Sequence, residues 1–250
     1  MVLQFQFQDL AYTINTAKPI DISLPIVAGK ENPNCYYAEH VRYDTIRAGE
    51  FVGSVAEGGS CNYQQVTFIP HGNGTHTECY GHIAADKQAT MNHCLKTFWF
   101  VARLISTTPT FENGDSIVKL KDIQPHIALP AEALLIRTLP NGAGKKTKQY
   151  SNTNPPYFEE AVGKFLATNG VKHLLVDLPS VDKEVDGGAL LMHHAFWQFP
   201  QEIRQDCTIT ELVYIPDEVP DGLYILNLQI PSFELDAVPS KPVLYAIVNA

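Results

Sequence analysis

The 250-residue sequence predicts an α/β fold, a single strand-rich domain with few helices spanning 1–250. Three observations predict it. Short apolar, β-branched or aromatic runs recur at 63–69, 98–105, 133–138, 173–176, 208–215, 222–228 and 242–248. An amphipathic stretch follows Pro155 and Pro156, with Phe158, Ala161, Val162, Phe165 and Leu166 on one face and Gly170 where a C-cap belongs. The strand-like KHLLVDLP comes directly after it, so 133–177 reads as strand, long connection, helix and strand, a βαβ-like unit.

The other elements follow from local signals. A second helix is expected over 187–197, opening after the pair Gly187 and Gly188 and closing before Pro200. The stretch 139–156, rich in Gly, Lys, Asn and Pro, reads as a long loop, because the apolar segments on either side are too short to form separate cores. Its basic run, Lys145, Lys146 and Lys148, is expected to be solvated. The aromatic groups near Phe98, Trp99, Phe100, Phe196 and Trp197 suit core packing better than an interface.

Composition narrows the function classes. Hydrophobic residues make up 45% and charged residues 18%, a globular balance that argues against disorder. A net charge of −9 without basic clusters makes nucleic acid a poor partner. Five widely spaced cysteines, an odd number with no CxxC pair, argue against a disulfide framework and for a reducing compartment. The N-terminal stretch lacks the basic start and apolar core of a signal peptide, and no apolar run approaches the ~20 residues of a membrane span. The expected location is the cytoplasm.

Chemistry concentrates in PHGNGTHTECYGHI, which holds His71, His76 and His82, three of the nine histidines, with Glu78 among them. In extended chain His76 and Glu78 point to one side, while a helical turn would bring Glu78 to His82. Imidazole and carboxylate together suit divalent zinc, manganese or iron. Gly72 and Gly74 allow the bend that lets ligands converge, and Asn73 and Thr75 are candidates for supporting hydrogen bonds. Two blander readings stand beside this one. The histidines could decorate a Gly-rich surface loop, or the glycines could cradle a phosphate, although no P-loop lysine and no GxGxxG pattern support the latter. Downstream, VDLPSVDKEVDGGALLMHHAFW offers Asp177, Ser180, Asp182, His193 and His194, and adjacent histidines on a helix face directions about 100° apart. Glu211 interrupts the apolar run TITELVYI, where a buried carboxylate needs a partner or a cation.

At these residues the sequence resembles a known family. GTHTECYGHI is similar to the HxGTHxDxPxH signature of the cyclase family, which includes bacterial kynurenine formamidases and isatin hydrolase. DISLPI at 21–26 resembles the family's opening strand. ALLIRT at 133–138, KHLLVDLPSVD, MHHAFW, TELVYI and PDGLYILNL follow in the family's order, so the resemblance runs from about Asp21 almost to the C-terminus. It implies a swivelling β/β/α architecture and hydrolysis of a small-molecule amide with one or two Zn2+ or Mn2+ ions. It implies metal ligands at His71, His76, Glu78, His193 and Glu211, with Glu78 bridging where two ions bind, and proton transfer by His82. A homodimer or larger homo-oligomer is implied as well.

The chain departs from the family pattern in identifiable places. Gly72, not His71, occupies the first signature histidine, so His71 reaches a metal only if the loop bulges. Glu78 replaces aspartate, moving the carboxylate by ~1.5 Å, about one C–C bond. Tyr80 replaces proline, and the distance from His193 to Glu211 suggests an insertion around 198–206. The displaced His71 and longer Glu78 motivate a rival reading, a metal- or ligand-binding relative without hydrolytic activity. A Ser or Cys nucleophile at Ser180 or Cys79 is a third reading, which lacks a G-x-S-x-G elbow.

Overall fold

Apolar runs with β-branched content need two covered faces, and in this chain they obtain them in the middle of one mixed sheet. The computed structural model describes residues 1–7, 9–127 and 131–249. The sheet contains β1 (Val2–Phe7), β2 (Leu10–Asn15), β3 (Ile20–Asp21), β4 (His76–Glu78), β5 (Trp99–Thr107), β6 (Ala133–Thr138), β7 (His173–Val176), β8 (Thr208–Glu211), β9 (Gly222–Gln229), β10 (Ala237–Pro239) and β11 (Lys241–Asn249). Their order is β1-β2-β11-β9-β5-β6-β7-β8-β4-β10, with β3 paired to β11. The four strands from β5 to β8 run parallel to one another, and the flanking pairs are antiparallel.

Every residue of β6, β7 and β8 is buried. The helices α4 (Glu160–Thr168) and α5 (Leu191–Trp197) contribute Val162, Leu166, Met192, Phe196 and Trp197 to the main core beside Leu104, Ile136 and Leu175. The two helices approach so closely that a Cβ on Gly163 would lie 2.8 Å from Met192 Sδ and 2.9 Å from Ala195 Cβ. A smaller cluster of Tyr12, Ile14, Val101 and Ile225 lies beneath the β1–β2 hairpin. Three one-turn helices complete the set: α1 (Pro70–Asn73), α2 (Met91–Cys94) and α3 (Leu120–Ile123). No described helix is long and apolar enough to cross a membrane.

Several local expectations are corrected. DISLPI is strand only through its first residue, since pairing with β11 covers Ile20 and Asp21 and then ends. The run 208–215 stops at Glu211 because Leu212 turns into the left-handed region, with φ 55. The helix expected over 187–197 begins at Leu191, as Gly187 and Gly188 adopt φ 72 and 81 in the preceding turn. The 63–69 run pairs as Gln64–Thr67 with Arg42–Thr45, outside the main sheet. Lys145 is not solvated. Its Nζ donates to Asp177 Oδ2 (2.8 Å) and to the Thr138 carbonyl (2.6 Å), closing the 139–156 loop over the ends of β6 and β7. Trp99 stays 37% exposed, although Phe100, Phe196 and Trp197 are core residues.

Candidate metal centre

The histidine-rich segment reaches the sheet as its strand β4, placed between β8 and β10. Register sets His76 opposite Glu211 and Glu78 opposite Ile209 on one side, and Glu78 opposite Ala237 on the other. His76 and Glu78, two residues apart, thus share a face of the strand. Their side chains are fully buried. Glu211 is the last residue of β8, and the left-handed Leu212 bends the chain away immediately after it. Thr75 holds that bend, donating from Oγ1 to the Leu212 carbonyl and accepting from the Leu24 N–H (2.8 Å). Asn73 ties loops instead, through Ile69 N–H and the Glu39 carbonyl. Neither side chain supports a candidate ligand directly.

His71 comes into the cluster although it stands one residue before the signature position. Residues 70–73 form the helical turn α1, which swings the His71 ring to 5.4 Å from that of His76 and 4.4 Å from that of His82. Position 72 has no room for a side chain, because a Cβ there would lie 2.3 Å from Ala38 Cβ. The imidazole is therefore supplied from position 71. From α5, His193 points inward and His194 lies partly exposed, as adjacent helical positions must. His193 donates from Nε2 to Glu78 Oε1 (2.9 Å) and from Nδ1 to Asp182 Oδ2 (2.6 Å). Residues 198–206 extend beyond α5, where Arg204 donates to the Phe196 and Val171 carbonyls, and they do not line the centre.

His193 and Glu78 are hydrogen-bonded, but two other pairs in the cluster are spaced as ligands rather than as hydrogen-bond partners. His76 Nε2 lies 3.4 Å from Glu211 Oε2, and His71 Nε2 lies 3.5 Å from Glu78 Oε2. Charge-assisted N–H···O bonds close to about 2.7–2.9 Å. Bonds of 2.0–2.2 Å to one tetrahedral ion leave adjacent ligand atoms about 3.3–3.6 Å apart. His71 Nε2, His76 Nε2 and Glu78 Oε2 are buried and have no hydrogen-bond partner. His76 Nδ1 donates to the Gly74 carbonyl (2.9 Å), which leaves Nε2 as the nitrogen available to an ion. Glu211 is oriented likewise, its Oε1 accepting from Val181 N–H (2.9 Å). Two sets of candidate ligands result, the fully buried His76, Glu78 and Glu211, and the buried Glu78 and His193 with the part-exposed His82, and Glu78 belongs to both.

Electrostatics agree with a site built for positive charge. Burial alone would lower His71 and His193, but their carboxylate neighbours raise each to about 10. Burial opposes ionisation of Glu78, yet the charges of His82 and His193 hold it well below the usual carboxylate range. Asp182 is lowered against burial by its bonds to His193. Asp236, which the sequence did not single out, is held low by His71 and His82. It sits one residue before β10, and its carbonyl accepts from the Cys79 N–H (3.0 Å).

A cavity of about 280 Å3 opens onto this centre, lined by Tyr36, Leu190, His82, His193 and Glu211 among others. A wider depression of about 430 Å3 beside α4 and α5 contains His194 but none of the cluster. Neither proposed nucleophile is equipped for attack. Cys79 is buried, and the neighbouring Cys94 and burial push its thiol up. Ser180 Oγ accepts from the Asp182 N–H (3.1 Å) and has no imidazole partner among the described residues.

The mixed sheet carries a histidine–carboxylate cluster built on β4, the end of β8, α1 and α5, and sequence comparison specifies the family. The chain belongs to the cyclase family: the family described as "Putative cyclase" matches residues 9–183, which include His71 to His82 and Asp182. His193, Glu211 and Asp236 lie beyond that match. Kynurenine formamidase of Bacillus anthracis is 26% identical over 235 residues, covering 94% of this chain and 100% of that protein. Kynurenine formamidase of Bacillus cytotoxicus is 28% identical over 202 residues, 80% of this chain and 88% of that one. Among solved structures, a predicted metal-dependent hydrolase from Bacillus stearothermophilus superposes with a TM-score of 0.64 at 17% identity, covering 91% of this chain and 98% of the other. Isatin hydrolase A from Labrenzia aggregata superposes with a TM-score of 0.62 at 11% identity, covering 92% and 94%. The two superpositions establish the shared fold.

Proposed function

We propose that this chain is a metal-dependent hydrolase that cleaves a C–N amide bond of a small molecule, an aryl formamide or a cyclic amide. The observation that carries the reading is the set of buried, unpartnered ligand atoms at His71, His76 and Glu78, spaced for an ion rather than for hydrogen bonds. The kynurenine formamidase relatives support the reaction class. His76, Glu78, His193 and Glu211 would hold the inner ion or ions, Zn2+ or Mn2+, with Glu78 shared where two bind, and His71 stands beside them with its Nε2 3.5 Å from Glu78 Oε2. A bound ion of this kind polarises a carbonyl and lowers the pKa of water towards ~7.

The remaining steps belong to side chains. Asp182 keeps the His193 ring turned with Nε2 towards Glu78. His82, on the cavity wall and less buried than His76 and His193, carries a proton to the leaving nitrogen. Tyr36 and Leu190 give the substrate ring an apolar wall. A cavity of about 280 Å3 is at the small end of ligand pockets, which suits a one- or two-ring amide. The same reading places the protein in the cytoplasm, in keeping with five free thiols, as a homodimer or larger homo-oligomer.

The test replaces His76 and Glu78 singly with Ala, then measures bound metal and turnover of an aryl formamide. Both variants are expected to lose metal and to drop in turnover by at least about 100-fold, since even outer-shell partners of a metal cost 10–100-fold. Full metal content in both would remove the foundation of the proposal.

A further inference from the structure

His71, His82 and Asp236 form a third group, farther out than the two buried ones. Their side chains are 28%, 29% and 37% exposed, whereas those of His76, Glu78, His193 and Glu211 are exposed by 4% or less. One ligand atom from each of the three lies within 4.8 Å of the others. Asp236 Oδ2 is 3.4 Å from His71 Nε2 and 3.5 Å from His82 Nδ1. Both separations fall in the range of about 3.3–3.6 Å expected between adjacent ligands of a tetrahedral ion. A second observation comes from below: Glu78 Oε2, on a side chain 1% exposed and lacking a hydrogen-bond partner, faces the two imidazoles at 3.5 and 3.9 Å. The backbone makes the placement firm, since pairing of Ala237 with Glu78 and the Cys79 N–H bond to the Asp236 carbonyl set this carboxylate beside the cluster.

We propose that His71, His82 and Asp236 form an outer cation subsite at the mouth of the pocket, selective for a borderline divalent ion such as Zn2+. Two imidazoles and one carboxylate are a donor set that zinc accepts. The subsite binds more weakly than the buried groups, because its side chains are less constrained and water competes for the ion. Asp236 takes part in neither buried group, so this subsite fills only when zinc exceeds the inner capacity. Its consequence rests on the hydrolase reading: a filled outer subsite ties up His82 and stops it from carrying protons, so excess zinc inhibits.

The experiment compares the chelator-stripped wild-type protein with Asp236→Asn, an isosteric change at a part-exposed position. Zn2+ is titrated calorimetrically, and ions retained after gel filtration are counted. Wild type is expected to retain its tight ions and to show a further, weaker binding step. Asp236→Asn is expected to retain the same tight ions while the weaker step weakens by about 100-fold or disappears, since loss of a direct ligand costs at least as much as loss of an outer-shell partner. The ratio of turnover at excess zinc to turnover at stoichiometric zinc should fall in wild type and stay level in the variant. Superimposable titrations would overturn the proposal, including the case in which the variant is merely slower and Asp236 only orients His82. Loss of tight ions in the variant would also overturn it, by placing Asp236 in the inner centre. Should wild type hold no tight ion, the hydrolase reading fails, while the weak step and its response to Asp236→Asn still decide the outer subsite.

Discussion

Whether a side chain in this centre can serve an ion depends on what its other polar atoms already do. His76 has Nδ1 committed to the Gly74 carbonyl, and Glu211 has Oε1 committed to Val181 N–H, so in each the remaining atom faces inward. His193 depends on Asp182, which accepts from its Nδ1 at 2.6 Å and also from its backbone N–H and that of Met192. Asp182→Asn keeps the size of the side chain but replaces one acceptor with a donor, which disfavours the ring state that presents Nε2 to Glu78. Metal affinity is expected to fall by about 10–100-fold, read by competition against a coloured chelator. An affinity equal to wild type would show that Asp182 serves only the start of α5. Glu78 contributes a carboxylate oxygen to each of the two ligand sets.

Two short elements position the ligands, and each is held by a particular contact. The helical turn α1 carries His71, and Gly72 within it packs against Ala38, with Cys35 N–H donating to the Gly72 carbonyl (3.1 Å). Gly72→Ala would force a Cβ to 2.3 Å from Ala38 Cβ. The expected cost is about 1–3 kcal/mol of stability, as for other overpacking substitutions, together with reduced metal content as His71 is displaced. Denaturant unfolding and metal analysis of the variant check both, and wild-type stability with full metal would contradict the packing argument. The end of β8 is the second such element, where Thr75 fastens Leu212 and so keeps Glu211 at the centre. A third contact, the part-buried Lys145 with the buried Asp177, is an ion pair that closes the long loop over β6 and β7 and lies outside the metal cluster.

At the scale of the molecule, the charge balance of the centre predicts how stability responds to pH. In the metal-stripped protein His71 and His193 are raised to about 10 from an ordinary 6.5. A raised pKa means that the folded state holds the proton more tightly, so this stabilisation is complete below pH 6.5 and is lost as pH climbs towards 10. Thermal unfolding with chelator present should therefore occur at progressively lower temperature across that window. Metal affinity should rise over the same window, because the ion displaces those protons. A chelated protein whose unfolding temperature is level from pH 6.5 to 10 would contradict the imidazolium–carboxylate pairs. Much of the fold was legible beforehand, since the apolar runs that became β5, β6, β7 and β9 and the amphipathic face of α4 are local patterns. The alternation of Leu3, Phe5 and Phe7 with Gln4 and Gln6 is likewise the local pattern of the first strand of the β1–β2 hairpin. By itself the sequence determined the ligand chemistry and the family signature, which depend on residue type and near spacing. Only the tertiary structure decided that His71 swings in through α1, that β8 ends at Glu211, and that Asp236 arrives beside Glu78. Those three placements follow from strand pairing and close packing between segments far apart in the chain, and such contacts leave no periodic trace in either segment alone.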